Sequence, residues 1–401
     1  MGNRSIRTRR NWLASCLGVT AGISGLAGCM NTDKSDNDKN GASDELLPSE
    51  WPMYGVDPQN TGYHPTATGP TNENVESNVV VETEGSIRNS PIIVEGTLYV
   101  SSSDGNFYSY DLDKEELNSE KVINSLHDSH PAFKNDRIFV GIKDGIVALD
   151  RDDLSIDWEY NSAISNIQPT PVPNGIIGTE NMFLHRFDSR GNKTTIHNMR
   201  DHSGGRPYSK VPAVNNNRVY FTSGIMLYAV NPKDGEIEWS FENPNEEIMG
   251  ECNPAISDGS VYVGGEDQQL YSINSINGTK EWSIDTKSVV PSDPSVANGI
   301  VYVEANGSAY LGGDSWLLAI DINKQEIVWE QKLTSTTSSK PVIVDGSVYH
   351  VDLKTIYSFD AEKGHEIWKS EVFEEPASVS PVVFDNDIYA SAADGNVYKI
   401  S

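Results

Sequence analysis

Residues 260–284 read SVYVGGEDQQLYSINSINGTKEWSI. Two short runs rich in Val, Ile and Tyr alternate with a period of two. Gly, Asp, Asn and Ser separate them, and a tryptophan follows. Alternation over four to eight residues, bounded by such residues, is the signal of paired strands and not of a helix. The pattern returns at 216–241, NNRVYFTSGIMLYAVNPKDGEIEWSF, and at 346–370, GSVYHVDLKTIYSFDAEKGHEIWKS. The stretch is therefore one copy of a repeat.

The prolines set the register. Pro91, Pro131, Pro171, Pro212, Pro254, Pro294, Pro341 and Pro381 are spaced by 40, 40, 41, 42, 40, 47 and 40 residues. Eight residues after each stands an aromatic: Tyr99, Phe139, Tyr220, Tyr262, Tyr302, Tyr349 and Tyr389. The third repeat departs, with Thr179. A tryptophan comes 27 or 28 residues after four of the prolines, at Trp158, Trp239, Trp282 and Trp368. In the sixth repeat an insertion displaces it to Trp329. A fixed period near 40 marks a repeat architecture. The repeated Tyr and Trp read as packing residues between units.

Within a unit, turn dipeptides divide the runs: Asp258-Gly259, Asn298-Gly299 or Asp345-Gly346 first, Asp104-Gly105 or Asp394-Gly395 second, Asp234-Gly235 or Asn277-Gly278 third. These residues accept the positive φ that tight hairpins need. Each unit is four antiparallel strands, a to d, which is a propeller blade. The expected fold is all-β, an eight-bladed β-propeller. The last unit ends at Ser401 without a fourth strand, and residues 78–83, NVVVET, precede Pro91 where a fourth strand should lie. That segment is expected to pair with the C-terminal blade and close the ring, which removes open sheet edges.

The unit from Asn253 to Trp282, with its Pro, Gly-x-Val-Tyr, Leu-Tyr, Gly and Trp, resembles the repeat of the pyrroloquinoline-quinone-like (PQQ-like) β-propellers. Residues 51–65, WPMYGVDPQNTGYHP, resemble the segment before the first blade in that family. The resemblance covers about residues 50–401. It implies the fold and leaves function open, because one fold hosts several. One branch, the alcohol and sugar dehydrogenases, holds the quinone and calcium in the central funnel. Its pattern includes adjacent cysteines, and no Cys-Cys pair exists here. Another branch is the lipoprotein propellers of bacterial outer-membrane β-barrel assembly.

The 401 residues carry 58 acids against 30 bases, a net charge of −28. Such a surface excludes a nucleic-acid backbone as partner, which needs clustered Lys and Arg. It suits a hydrated protein in high salt, and the composition is similar to that of halophilic archaeal proteins. The N-terminus is read as an address. Arg9-Arg10 and the mildly apolar, Gly-rich run after them look like a twin-arginine export signal. Leu26-Ala27-Gly28-Cys29 matches a lipobox, which implies cleavage before Cys29 and lipid on it. The alternative is a short membrane helix retained at the N-terminus. The expected domains are a signal peptide at 1–28, an acidic flexible tether at 29–49, and the propeller at 50–401. The expected location is the outer face of the cytoplasmic membrane, held by one lipid anchor.

No His-Glu-x-x-His, Gly-x-Ser-x-Gly or P-loop is present. No catalytic residue, metal ligand or cofactor is assigned. His127 and His130 are spaced for a metal but lack a third ligand. His185, His197 and His202 fall in the degenerate third repeat. In an up-and-down sheet the d–a and b–c loops share one face, and these vary most in length. Functional residues favour variable loops on a rigid scaffold. The candidate binding-face residues are Arg88, His130, Lys210, Glu251, Asp293 and Lys340, each within three residues before a repeat proline. Tyr310 and Trp316, on the longest insertion, complete the set. The expected function is a non-enzymatic, membrane-anchored scaffold for a protein or peptide. The alternatives are a PQQ- or metal-dependent oxidoreductase using the funnel, and a surface receptor for carbohydrate or a small molecule. Asn192, Asn277 and Asn306 head Asn-x-Ser/Thr sequons that glycans use on exported proteins.

Overall fold

The structure is a computed structural model that describes residues 50–70, 74–123, 129–162, 167–180, 183–198, 211–215, 218–249, 252–307, 314–335, 339–377 and 379–401. All the elements among them are strands. They form eight sheets, each with four consecutive antiparallel strands or their equivalent. Blade 5 is typical: strand a is Ala255–Ser257, b Ser260–Gly264, c Gln269–Asn274 and d Lys280–Asp285. Among the described residues, six a–b turns carry positive φ at both central residues, as at Asp258 and Gly259 or Asp345 and Gly346. That is the hairpin geometry whose twist matches the strands.

The ring closes as expected. Ser77–Glu82 pairs antiparallel with Asn396–Ile400, with Val79 opposite Tyr398, and supplies the fourth strand of blade 8. Strands b and c are buried on both faces, as in SVYVG and TIYSF. Their alternation therefore does not separate core from solvent. It sends successive side chains to the two neighbouring blades.

The repeated Tyr and Trp join blade to blade. Tyr220 Oη and Trp239 Nε1 of blade 4 both donate to the Ser275 carbonyl of blade 5, each at 3.0 Å. Tyr302 and Trp329 of blade 6 do the same to Ala361 of blade 7, at 3.1 and 3.0 Å. In blade 7, Tyr349 and Trp368 face a blade that has no c–d turn of its own, and they donate to Pro70 instead. Trp158, Trp239 and Trp329 each lie against the c–d turn glycine of the next blade, Gly191, Gly278 and Gly364. A Cβ on Gly278 or Gly364 would come within 2.7 or 2.6 Å of the indole, and both glycines have positive φ. No other residue fits there.

The third repeat also makes four strands, Thr170–Val172, Gly175–Glu180, Phe183–Phe187 and Lys193–Asn198. Its register differs from the proline count. Thr170 pairs with Ile177 as Ala255 pairs with Tyr262. The proline equivalent to Pro254 is therefore Pro169, two residues before Pro171. Ile177 occupies the aromatic position, in place of Thr179. The run Pro169-Thr-Pro171-Val-Pro173 offers three prolines, and only Pro171 keeps the spacing of 40.

Candidate functional site at the propeller axis

Strand a is the innermost strand of each blade, and its middle residue turns an N–H away from strand b toward the axis. A buried N–H must find a partner. Residues 51–62 supply the carbonyls in chain order. Ile93 of blade 1 donates to Trp51, at 3.0 Å, and Phe133 of blade 2 to Pro52, at 2.8 Å. Val214 of blade 4 donates to Pro58, Ile256 of blade 5 to Gln59, Val296 of blade 6 to Thr61 and Ile343 of blade 7 to Gly62, at 2.6 to 2.9 Å. Blade 3 is passed over, because its residue at this level is Pro171, which has no N–H. Tyr63–His64 then runs parallel to strand a of blade 7. His64 Nε2 donates to the Glu50 carbonyl at 2.9 Å, so the segment closes on itself after one circuit.

One residue before each repeat proline, a second ring surrounds the axis: Ser90, His130, Gln168, Val211, Asn253, Asp293, Lys340 and Ser380. Main-chain N–H groups of one blade donate to the side chain of the next. Ser90 N reaches His130 Nδ1 at 3.1 Å, His130 N reaches Gln168 Oε1 at 3.0 Å, Asn253 N reaches Asp293 Oδ1 at 2.7 Å, and Lys340 N reaches Ser380 Oγ at 3.2 Å. Tyr54 of the encircling segment enters this ring. Its hydroxyl donates to Asp293 Oδ2 at 2.6 Å, and its ring packs on His130 with centroids 4.3 Å apart. Asn253 Nδ2 donates to the same carboxylate oxygen at 2.6 Å. Burial, and then Asp293, hold the Tyr54 hydroxyl well above its ordinary pKa, so it is a permanent donor.

Lys340 is fully buried, and its ammonium donates to the Pro294 carbonyl. Burial pulls it down to about 8, against the pull of Asp293, Cys252 and Asp57. Burial pushes the Asp57 carboxyl up, offset by the hydrogen bonds from Thr61 and by Lys340. His130 keeps part of its surface open but its ring is enclosed by neighbours. That enclosure pulls it down to about 4, with Asp293 acting the other way. Because Nδ1 accepts from Ser90, the neutral ring carries its proton on Nε2.

Of the residues chosen from sequence, His130, Asp293 and Lys340 meet at the axis. They are not displayed on an outer face: Asp293 and Lys340 are buried against the chain's own segment. Arg88 is exposed. Trp316 opens strand c of blade 6, half-buried, with Lys332 over its ring at 5.9 Å. Lys210, Glu251, Tyr310, Cys29, Arg9 and Arg10 lie outside the described residues, as do His127 and His202. Asn192 and Asn277 are exposed, whereas Asn306 is buried. Sequence reading missed Tyr54, Asn253 and Asp57. The usable signal was position: Asn253 stands directly before a repeat proline, as do His130, Asp293 and Lys340.

The axial residues do not fit a quinone–calcium centre. Both Asp293 oxygens accept hydrogen bonds from protein donors, and a lysine ammonium already supplies the local positive charge. Calcium takes six to eight oxygen ligands, several of them free carboxylates. Among the described residues no three His, Cys, Asp or Glu side chains stand together for a metal. Nor is any helix among them long and apolar enough to cross a membrane.

Residues 224–315 and 290–401 match the family model described as outer membrane protein assembly factor BamB. The chain is 23% identical over 301 residues to outer membrane protein assembly factor BamB of Yersinia pestis, covering 68% of this chain and 73% of that one. The protein of the same name from Escherichia coli K12 is 24% identical over 291 residues, covering 57% and 70%. A shorter match, 28% over 139 residues, covers 31% of this chain and 19% of the quinohemoprotein alcohol dehydrogenase ADH-IIG of Pseudomonas putida. Among solved structures, a europium-containing methanol dehydrogenase superposes with a TM-score of 0.73 at 13% identity, over 89% of this chain and 98% of that one. In repeat and in architecture, the chain is similar to the PQQ-like, BamB-type β-propellers.

Proposed function

We propose that this chain is a non-enzymatic scaffold that binds a protein or peptide partner. In this reading it is exported and held at the outer face of the cytoplasmic membrane by lipid on Cys29. The observation that carries the scaffold reading is the use of the axis. The polar side chains that a funnel enzyme would turn toward a cofactor are already engaged within the chain: Asp293 accepts from Tyr54 of the 51–64 segment and from Asn253, and Lys340 donates to the Pro294 carbonyl. The similarity to proteins named as assembly factors supports it. The variable d–a and b–c loops are then the natural partner surface, with Arg88, Trp316, Tyr310, Lys210 and Glu251 as its candidates. The oxidoreductase reading rests on the short match to the quinohemoprotein alcohol dehydrogenase.

The test is in-cell photocrosslinking from Trp316 and Arg88 on the loop face, and from Glu362 on an a–b/c–d turn, in the intact host. A discrete protein adduct from the loop-face positions and none from Glu362 supports the scaffold. No adduct from either face counts against it. Cys29→Ser should move the protein from the membrane to the soluble fraction; unchanged fractionation would contradict the lipid anchor.

A further inference from the structure

Two separate devices hold the ring of blades. One is the strand Ser77–Glu82 on blade 8. The other is the circuit of residues 50–64, whose contacts are with the inside of the ring. It takes up inner N–H groups from blades 1, 2, 4, 5, 6 and 7. Asn60, fully buried, donates from one amide to Val211 of blade 4 and Pro254 of blade 5, each at 3.3 Å. Met53 and Val56 are buried with it.

We propose that residues 50–64 are a strap that locks the propeller from inside, independently of the outer closing strand. Its fastening point is Tyr54 in the Asp293–Asn253 pair beside Lys340. Three observations converge. The strap's carbonyls meet the inner N–H groups of six blades in chain order, and at blade 3, where Pro171 has no N–H, no such bond is made. The strap closes on itself through His64 and Glu50, with Trp51 stacked on His64 at 5.7 Å. Its Gly62, at φ +64, admits no side chain, because a Cβ would lie 2.2 Å from Ser295 Oγ and 2.9 Å from Lys340 Cε. A segment that merely passed through would not be fitted at so many points. The strap also occupies the axis at the level of the a strands, so a ligand of the axis meets Tyr54 and not an open channel.

The experiment severs the two devices from each other. In the full-length chain a protease site replaces residues 71–73, between strap and closing strand. Cleavage leaves a fragment ending at residue 70 and a body that keeps Ser77–Glu82. The two are expected to co-elute in native gel filtration and to separate only in denaturant. Tyr54→Phe keeps the ring contact and removes one hydrogen bond to a carboxylate; it should speed loss of the fragment about tenfold. Gly62→Val should release the fragment and lower the melting temperature of the remaining body, while Glu362→Gln on an exposed turn should leave retention unchanged. Loss of the wild-type fragment on cleavage, unfolding of the nicked protein, or retention insensitive to Tyr54→Phe would each overturn the proposal.

Discussion

Blades 5 and 3 have the same four strands and few of the same reasons for them. Blade 5 has Tyr262 and Trp282 packed together at 5.9 Å, and an Ile256 N–H bonded to the strap. In blade 3, Ile177 replaces the Tyr and Pro171 replaces the N–H donor. Thr194, opposite Arg186, stands where Trp282 stands opposite Ser272. It holds instead a buried pair, Glu180 and His185, 2.7 Å apart, with Ser162 donating to the same glutamate. Burial would push the Glu180 carboxyl up, but the hydrogen bonds from His185 and Ser162 outweigh it and bring the pKa below its ordinary value. A blade thus folds without its signature when its neighbours fix it on both sides. Trp158 of blade 2, for example, packs on Phe187 and over Gly191. This is how repeat architectures tolerate an atypical unit.

The largest test of that contrast is truncation. Trp282→Ala removes a buried indole between blades and should cost about 3–5 kcal/mol in denaturant unfolding. Thr194→Ala at the equivalent place in blade 3 should cost under about 0.5 kcal/mol. Equal costs would break the comparison. Next comes an exchange of the axial residue. Ile256→Pro makes blade 5 resemble blade 3; it removes both a strap hydrogen bond and buried apolar surface, for about 2–4 kcal/mol. Pro171→Ala introduces a buried N–H with no strap hydrogen bond to join and should destabilise by about 1–3 kcal/mol.

The smallest effects are electrostatic, and they test the axis. His130 titrates at about 4 in the fold because burial lowers it from the ordinary 6.5. Between those values the unfolded chain binds a proton that the folded ring refuses, so its contribution to stability is lost as pH falls from 6.5 toward 4. His130→Gln should flatten that part of the pH–stability curve. Lys340, lowered to about 8, acts at the other end. From pH 8 to about 10.5 the unfolded chain holds the extra proton, so stability rises with pH across that window. Lys340→Met should abolish the rise, as read from melting temperatures of the two proteins in parallel.

The blades were legible in sequence because each is local. Proline, Tyr, turn glycine and Trp fall within 30 residues, and their period exposes the repeat. The closing strand was legible as the one missing piece. Blade 3 was placed two residues out because a spacing rule chose Pro171 where pairing chooses Pro169. The axis was half legible. Position before the proline selected His130, Asp293 and Lys340, but assigned them to a display surface. His130 and Asp293 meet at Tyr54, 239 residues from Asp293 in the chain. Nothing local in WPMYGVDPQNTGYHP says that its carbonyls will meet six blades in turn; that follows only once the ring is closed.

The most direct test of the central claim is a thermal-shift titration of the full-length protein in high salt with pyrroloquinoline quinone and calcium. If the axis is committed to the strap, melting temperature stays flat across the titration. A saturable rise means that a ligand prefers the folded state. Such a rise, removed by Asp293→Asn, would contradict the scaffold account and make the funnel a cofactor site.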